Sequence, residues 1–441
     1  LFSVLVFFWL APASVRAAGE PCHATPNDGT TVFSSLNAHA VQQAVDAAPM
    51  GGHVKVAGTC VGVESRASTN QSAYISKTQT LSGGYTNTLA SWTGAGDPLA
   101  NPTVIDANSG GRVIYATAAL TVSNITLQRG AINGSGATCP NAGCGGGVWA
   151  QGALSLSNVQ VLSNTARYDG GGAATIGAVT AVASRFENNA STNNRGGGLS
   201  AGAALSLTNT EFFSNTSLFS GGGAFVSGAT KAVDSQFENN RTRSVEGDGG
   251  GLYVNSSLRL TNTHFLSNTA RGQGGGVVAQ GAATAVESRF ENNRSLIGNG
   301  GGLFAVSTLN LSASFFLGNG ASQGGGGATV IHASGGASRI VNSLFARKDA
   351  GNGQGDALDL ISPSRSGTVE VIFTTISSPT VSGGSAIEVG GNGVVAITDT
   401  IVTNHTVGIR QTGSTVNQYY TLFFGNVDDV AGTVGGGAAV W

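Results

Sequence analysis

Gly170-Gly-Gly-Ala-Ala-Thr175 is followed by Ser184-Arg-Phe-Glu-Asn-Asn189, and then Gly196-Gly-Gly-Leu199 by Thr210-Glu-Phe-Phe-Ser-Asn215. Two marks return here, a glycine triplet and an apolar residue with Asn three positions later. Working outward, the triplet starts at 145, 170, 196, 221, 249, 274 and 300, and once more at 324 or 325. The second mark recurs as Val161/Asn164, Phe186/Asn189, Phe212/Asn215, Phe237/Asn240, Phe265/Asn268, Phe290/Asn293 and Phe316/Asn319. Both series advance by 25, 26, 25, 28, 25 and 26 residues, so they belong to one structural unit. Sharing even the 28-residue step places three extra residues between Asn240 and Gly249, where a bulge is expected. Alternate units differ, with Leu-x-Leu-x-Asn-Thr-x-Phe in one and Ala-Val-x-Ser-x-Phe-Glu-Asn-Asn in the next, the latter at 181–189, 232–240 and 285–293.

Within a unit the apolar period is two, as in Leu154-Ser-Leu156, Val159-Gln-Val161, Leu205-Ser-Leu207 and Leu258-Arg-Leu260. Period two marks strands, and no stretch of helical periodicity separates them. That excludes βαβ units, and a propeller blade needs about 40–45 residues. The expected fold is all-β: a single parallel β-helix solenoid with about three strands per coil of ~25 residues. Equivalent residues then stack ~4.8 Å apart along the axis. The phenylalanines are expected to form one buried column and the asparagines an amide ladder at a turn. Glycine triplets suit a sharp bend where coils approach closely.

Composition agrees with stacking. Glycine supplies 69 of 441 residues and charged residues only 10%, because a column of like charges repels itself. Lys and Arg total 21 against 23 Asp and Glu, a formal net charge of −2, which excludes a basic nucleic-acid binder. Forty per cent hydrophobic residues argue against disorder.

Leu1–Leu10 is an apolar run followed by Pro12 and Val15-Arg-Ala17. It reads as a signal peptide over 1–17, truncated at its start and cleaved after Ala17, so the chain is expected to be secreted or at the cell surface. No later stretch is long and apolar enough for a membrane helix. Cys139-Pro-Asn-Ala-Gly-Cys144 is a tight turn that can close on itself, which leaves Cys22 to pair with Cys60.

Residues 18–53 are expected to cap the solenoid. Asn37–Ala48 puts Val41, Ala44, Val45 and Ala48 on one face of a short helix, and a solenoid needs its exposed core end covered. The β-helix is expected over 54–426, most regular at 145–345, with Val54-Lys-Val56, Tyr74-Ile75, Val369-Glu-Val371 and Val395-Ala-Ile397 as strands. Ile401/Asn404 and Phe423/Asn426 continue the second mark, and 427–441 reads as a Gly-rich tail, cut short. The 373 residues of 54–426 give 14–15 coils, or ~70 Å at ~4.8 Å each.

Gly171-Gly-Ala173 with Phe186-Glu-Asn-Asn189, and Gly222-Gly-Ala224 with Phe237-Glu-Asn-Asn240, resemble the repeats of chlamydial polymorphic membrane proteins. The wider group is the bacterial right-handed parallel β-helix proteins with a pectate-lyase-like fold. The resemblance covers about 145–345 and implies right-handed coiling and an exported surface protein, often an adhesin-like passenger. Chlamydial members continue into a C-terminal membrane barrel, for which 427–441 is too short.

Enzymes of this fold concentrate carboxylates or calcium ligands on one face. Here acidic residues are spread thinly. Asp428-Asp429 reads as a solvated turn, and Lys348-Asp349 with Asp356 and Asp359 lacks a calcium-loop spacing. The histidines at 23, 39, 53, 264, 332 and 405 are scattered. No catalytic residue, metal or cofactor is assigned.

The residues flanking each inward Phe must point outward. Before it stand Gln160, Arg185, Glu211, Gln236, His264, Arg289 and Phe315; after it, Leu162, Glu187, Phe213, Glu238, Leu266, Glu291 and Leu317. Arg185 and Glu211 are expected to pair, and so are His264 and Arg289 with Glu238 and Glu291. The candidate binding strip is Arg185, Glu187, Glu211, Phe213, Glu238, His264, Arg289, Glu291 and Phe315. The expected function is a non-catalytic, monomeric binding passenger for a glycan or surface protein. The alternative is a polysaccharide lyase or glycoside hydrolase.

Overall fold

The computed structural model describes residues 21–26, 31–87, 92, 96–134, 139, 143–332, 336–346, 349–350, 356–362 and 367–436. The signal-peptide reading and Trp441 lie outside them. The chain is an all-β parallel solenoid of about 13 turns with about 2% helix. The count is below 14–15 because the first coil is long: Cys60 pairs in register with Ile105, and the interval carries the antiparallel hairpin Glu64–Arg66/Thr69–Ile75.

A regular coil contains the strands Val148–Ala150, Leu154–Ser157 and Gln160–Leu162, and a fourth of two residues, Thr165–Ala166. Each pairs in parallel with its counterpart in the next coil, Ala173–Thr175, Val179–Val182, Arg185–Glu187 and Ala190–Ser191. The strands are short because left-handed backbone breaks them. One bend precedes the third strand, at Asn158, Ala183, Asn209, Asp234, Asn262, Glu287 and Ala313 (φ +44° to +54°). Another follows it, at Ser163, Asn188, Ser214, Asn239, Ser267 and Asn292 (φ +53° to +55°). Asn tolerates this region better than most residues, which accounts for its abundance here.

The glycine triplet makes the remaining sharp bend, and its members do different things. Gly221 has φ +71°, while an added Cβ on Gly222 would lie 2.3 Å from the Gly250 carbonyl oxygen and one on Gly223 2.5 Å from that of Gly251. The first glycine supplies a backbone conformation, and the other two let adjacent coils touch. At the last triplet the left-handed residue is Gly325, which fixes its start at 325.

Phe186, Phe212, Phe237, Phe265, Phe290 and Phe316 are fully buried, and Phe345 extends the stack. Successive ring centroids are 4.5–5.2 Å apart and the planes lie within 10° of parallel. Beside them runs the amide ladder. Asn215 donates its backbone N–H and its Nδ2 to Asn240 Oδ1, both at 3.0 Å, and Asn240 donates Nδ2 to the Phe212 carbonyl at 2.9 Å. The same pattern joins Asn164 to Asn319, so the polar groups of the bend are satisfied without water.

A second ladder escaped the sequence reading. Ser184, Thr210, Ser235, Thr263, Ser288 and Ser314 follow the first bend and are buried. The Ser235 hydroxyl donates to the Val233 carbonyl and accepts the Thr210 N–H. Ser and Thr exchange freely here, so no fixed letter marks the column.

The extra residues fall where expected. Ser244–Gly247 forms a turn, with the Gly247 N–H bonded to the Ser244 carbonyl and Thr242 Oγ1 to the Gly247 carbonyl. Pairing resumes at Leu252.

At the N-terminal end, helix His39–Ala47 buries Ala40, Val41, Gln42, Ala44 and Val45. It closes the core together with the antiparallel strands Cys22–Pro26 and Phe33–Ser35. Cys22–Cys60 and Cys139–Cys144 are both disulfides.

The second mark at Ile401/Asn404 is out of register. Val402 is the buried residue facing Ile376 and Phe423, while Ile401 is exposed. His405 therefore takes the ladder position and gives its backbone N–H to Asn426 Oδ1. Pairing continues past Asn426, through Asp428–Ala431 and Val434–Gly435. Among the described residues no helix is long and apolar enough to cross a membrane.

Candidate functional site

All nine residues of the candidate strip lie on the third-strand row, and the register stacks them coil on coil. Arg185 faces Glu211, His264 faces Arg289, and Arg289 faces Phe315. Glu187 faces Phe213, and Glu238 and Glu291 sit on either side of Leu266. The alternation of units places an acidic residue after the Phe in every second coil and an apolar one between.

Arg185 organises the upper part of the strip. Its Nε donates to Glu187 Oε2 at 2.7 Å and its Nη1 to Glu211 Oε2 at 2.5 Å, with the guanidinium 5.3 Å from the centre of the Phe213 ring. Arg289 donates Nε to Glu291 Oε2 at 2.7 Å, and Gln236 donates Nε2 to Glu238 Oε2 at 2.6 Å. These groups are about a quarter to a half exposed, so each ion pair adds little stability. What the pairs fix is side-chain direction.

His264 forms no ion pair with Glu238. Burial lowers its pKa below the ordinary 6.5; Arg289 adds to the lowering and Glu291 opposes it. At pH 7 the ring is neutral. The strip thus sets four carboxylates against two guanidiniums and is acidic. Its apolar members are also less open than alternation alone suggests. Phe315 is 46% exposed, whereas Leu162, Phe213, Leu266 and Leu317 are half-buried under neighbours one coil away.

Of the residues weighed for a cation site, Lys348 lies outside the described residues. Asp356 and Asp359 are buried. Asp428 is exposed, and Asp429 Oδ1 accepts Asn426 Nδ2. Among the described residues no group of three or more His, Cys, Asp or Glu is placed to hold a metal ion.

Register does create one carboxylate pair that spacing hid. Asp359 lies beside Glu388 on the next coil, and Glu388 beside Arg410. Burial pushes the Asp359 carboxyl up to about 7, and the Glu388 charge pushes the same way. Burial also raises Glu388, opposed by the Ser385 hydroxyl and by Arg410, whose Nε is 3.5 Å from Glu388 Oε2. The pair falls where coil length departs from the regular beat, so no repeat mark aligns the two residues in sequence.

Compared with known proteins, the chain matches no family model, no curated protein and no solved structure.

Proposed function

We propose that this chain is an exported, non-catalytic β-helix that acts as a surface adhesin or binding passenger, with the strip from Arg185 to Phe315 as a contact face for a glycan or surface protein. The observation that carries the reading is the Arg185 cluster. Two carboxylates and an aromatic ring are held around one guanidinium on a backbone braced from both sides. Such a face pays little ordering entropy on binding. Its contacts repeat along the axis, so weak ones sum. The likeness of the repeats to those of chlamydial polymorphic membrane proteins, and the apolar run at 1–10, support export.

The test replaces Arg185, Phe213, Arg289 and Phe315 together by Ser and compares both proteins on a glycan array and on intact cells, with excess free acidic polysaccharide present throughout. Surface substitutions usually change stability by no more than about 0.5 kcal/mol each. The expected result is an almost unchanged melting curve with binding lost. Unchanged binding overturns the reading.

One observation favours the alternative, a polysaccharide-cleaving enzyme. Asp359 and Glu388 are stacked carboxylates, one titrating near neutrality, a combination suited to acid–base cleavage of a glycosidic bond. Release of reducing ends from polysaccharides, abolished by Asp359→Asn, would establish it.

A further inference from the structure

The fourth-strand row carries charge of the opposite sign from the strip. Its two outward columns read Thr165, Ala190, Thr216, Arg241, Thr269, Arg294, Gly320 and, two residues on, Arg167, Thr192, Leu218, Arg243, Arg271, Leu296, Ser322. They contain five arginines and no Asp or Glu, in a chain whose formal charge is −2. Arg241, Arg243, Arg271 and Arg294 are exposed. None of the four enters any ion pair formed among the described residues. Arg243 reaches back along the axis to the Thr192 carbonyl at 3.3 Å.

Elsewhere on the solenoid Arg185 meets Glu211 and Arg339 meets Glu370 across coils, while Lys231 stacks on Arg259 and Asp359 on Glu388. Arg241 and Arg294 stand in one column two coils apart, ~10 Å, and Arg243 and Arg271 lie on successive coils beside them. Like charges gathered on one face repel, and no acidic residue in these columns offsets them. Val245, Leu296 and Ile297 lie alongside at 53%, 42% and 47% exposure, so apolar surface borders the guanidiniums.

We propose that Arg241, Arg243, Arg271 and Arg294 form a site for a linear acidic polysaccharide. Guanidinium forks bind sulfate or carboxylate oxygens bidentately. The patch is a flat strip along the axis, which a chain with charges at regular intervals can follow, and Val245, Leu296 and Ile297 can cover the faces of sugar rings. The proposal rests on reading the chain as a binding protein, but on a different face from the Arg185 strip, so each can fail alone.

Immobilised heparin, hyaluronan and neutral dextran serve as probes for the intact chain at 0.15 M salt. Heparin or hyaluronan, whichever charge group is preferred, should bind, dextran should not, and binding should weaken with salt. Changing the four arginines to Gln should weaken binding at least tenfold with an unchanged melting curve, while changing them to Lys should keep most of it. The strip variant at Arg185, Phe213, Arg289 and Phe315 should bind these probes within twofold of wild type. Undiminished binding by the Gln variant, Lys and Gln variants of equal weakness, equal binding to dextran, or stronger competition by duplex DNA or anionic lipid vesicles than by the free polysaccharide would each overturn the proposal.

Discussion

Between residues 145 and 327 every coil rounds the corner after its third strand on a buried Asn and a left-handed residue. Between 375 and 391 the chain crosses the same place as unbroken strand, Thr375–Gly391, whereas within Ile401–Gln411 the left-handed residue persists at Asn404 (φ +60°). The ladder position there is held by Pro379 and then His405. Pairing between these long strands shifts register between Ser377 and Ser382 and again between Ser382 and Ser385. The bend before the third strand behaves differently. Its left-handed residue persists at Asn342, Phe373, Asp399 and Tyr420, and its hydroxyl column continues through Ser343, Thr374, Thr400 and Thr421, all buried. The hydroxyl column accompanies the first bend through the C-terminal coils, whereas the fourth strand runs from Ala131–Ile132, which follows Gly130 rather than an Asn, to Asp349–Ala350 and, among the described residues, is not continued beyond. Phe373 and Tyr420 also show that the bend imposes a conformation these residues would not choose, because the coils on either side fix it.

The largest expected contrast lies in the aromatic column. Phe237 is sandwiched at 4.7 and 4.8 Å by Phe212 and Phe265, and Phe237→Ala should cost about 3–5 kcal/mol in urea unfolding. Val402→Ala, at the equivalent place in the C-terminal coils, removes about two methylene groups' worth of burial and should cost about 1.5–2 kcal/mol. Equal costs would show that the aromatic column contributes no more to stability than the aliphatic positions of the C-terminal coils.

Next comes the ladder. Asn240→Ala leaves the Phe212 carbonyl and two donors on Asn215 without partners inside the core. That should cost on the order of 3 kcal/mol, since each orphaned buried group costs about 1–3. Asn426→Ala, at a half-buried position, should cost under about 1 kcal/mol because water can replace the amide. A mild effect at Asn240, read by the same urea titration, would mean that the corner is held by backbone pairing alone.

The C-terminal coils should respond to pH through Asp359. Asp359 has a folded pKa of about 7 against an ordinary 3.8. The folded state therefore holds its proton more tightly, so this contribution is fully present below about pH 4 and is lost as pH rises through 7. Asp359→Asn should flatten the melting temperature between pH 4 and 8, and should stabilise the protein at pH 8 by on the order of 2 kcal/mol. A wild-type melting temperature that rises over this interval, with no change on substitution, would contradict the buried pair.

The smallest effect belongs to the strip. A double-mutant cycle on Arg185→Gln and Glu211→Gln should give a coupling of about 0.5 kcal/mol, reduced by salt. A coupling several times larger would mark the Arg185 cluster as part of the scaffold.

The repeat could be read because stacking forces near-identical residues to recur at the length of a coil. Phe186 to Phe316 and Asn164 to Asn319 are such columns, and their inward and outward neighbours follow from strand alternation. The same logic named the strip residues and located the bulge at 241–248. It failed for the hydroxyl column, where two residue types do one job, and at Ile401/Asn404, where an apolar-to-Asn spacing arises by coincidence one residue out of register. It also overstated how open Phe213 and the strip leucines are, since exposure depends on the coils above and below.

Sequence by itself determined the solenoid, its core columns, the capping helix and both cysteine pairs, because each rests on local spacing or on a period long enough to count. Only the tertiary structure decided which side chains meet across coils of unequal length. Asp359 against Glu388 and His405 in place of an Asn depend on register, and register outside the regular beat is set by the whole stack of coils rather than by the residues that come into contact.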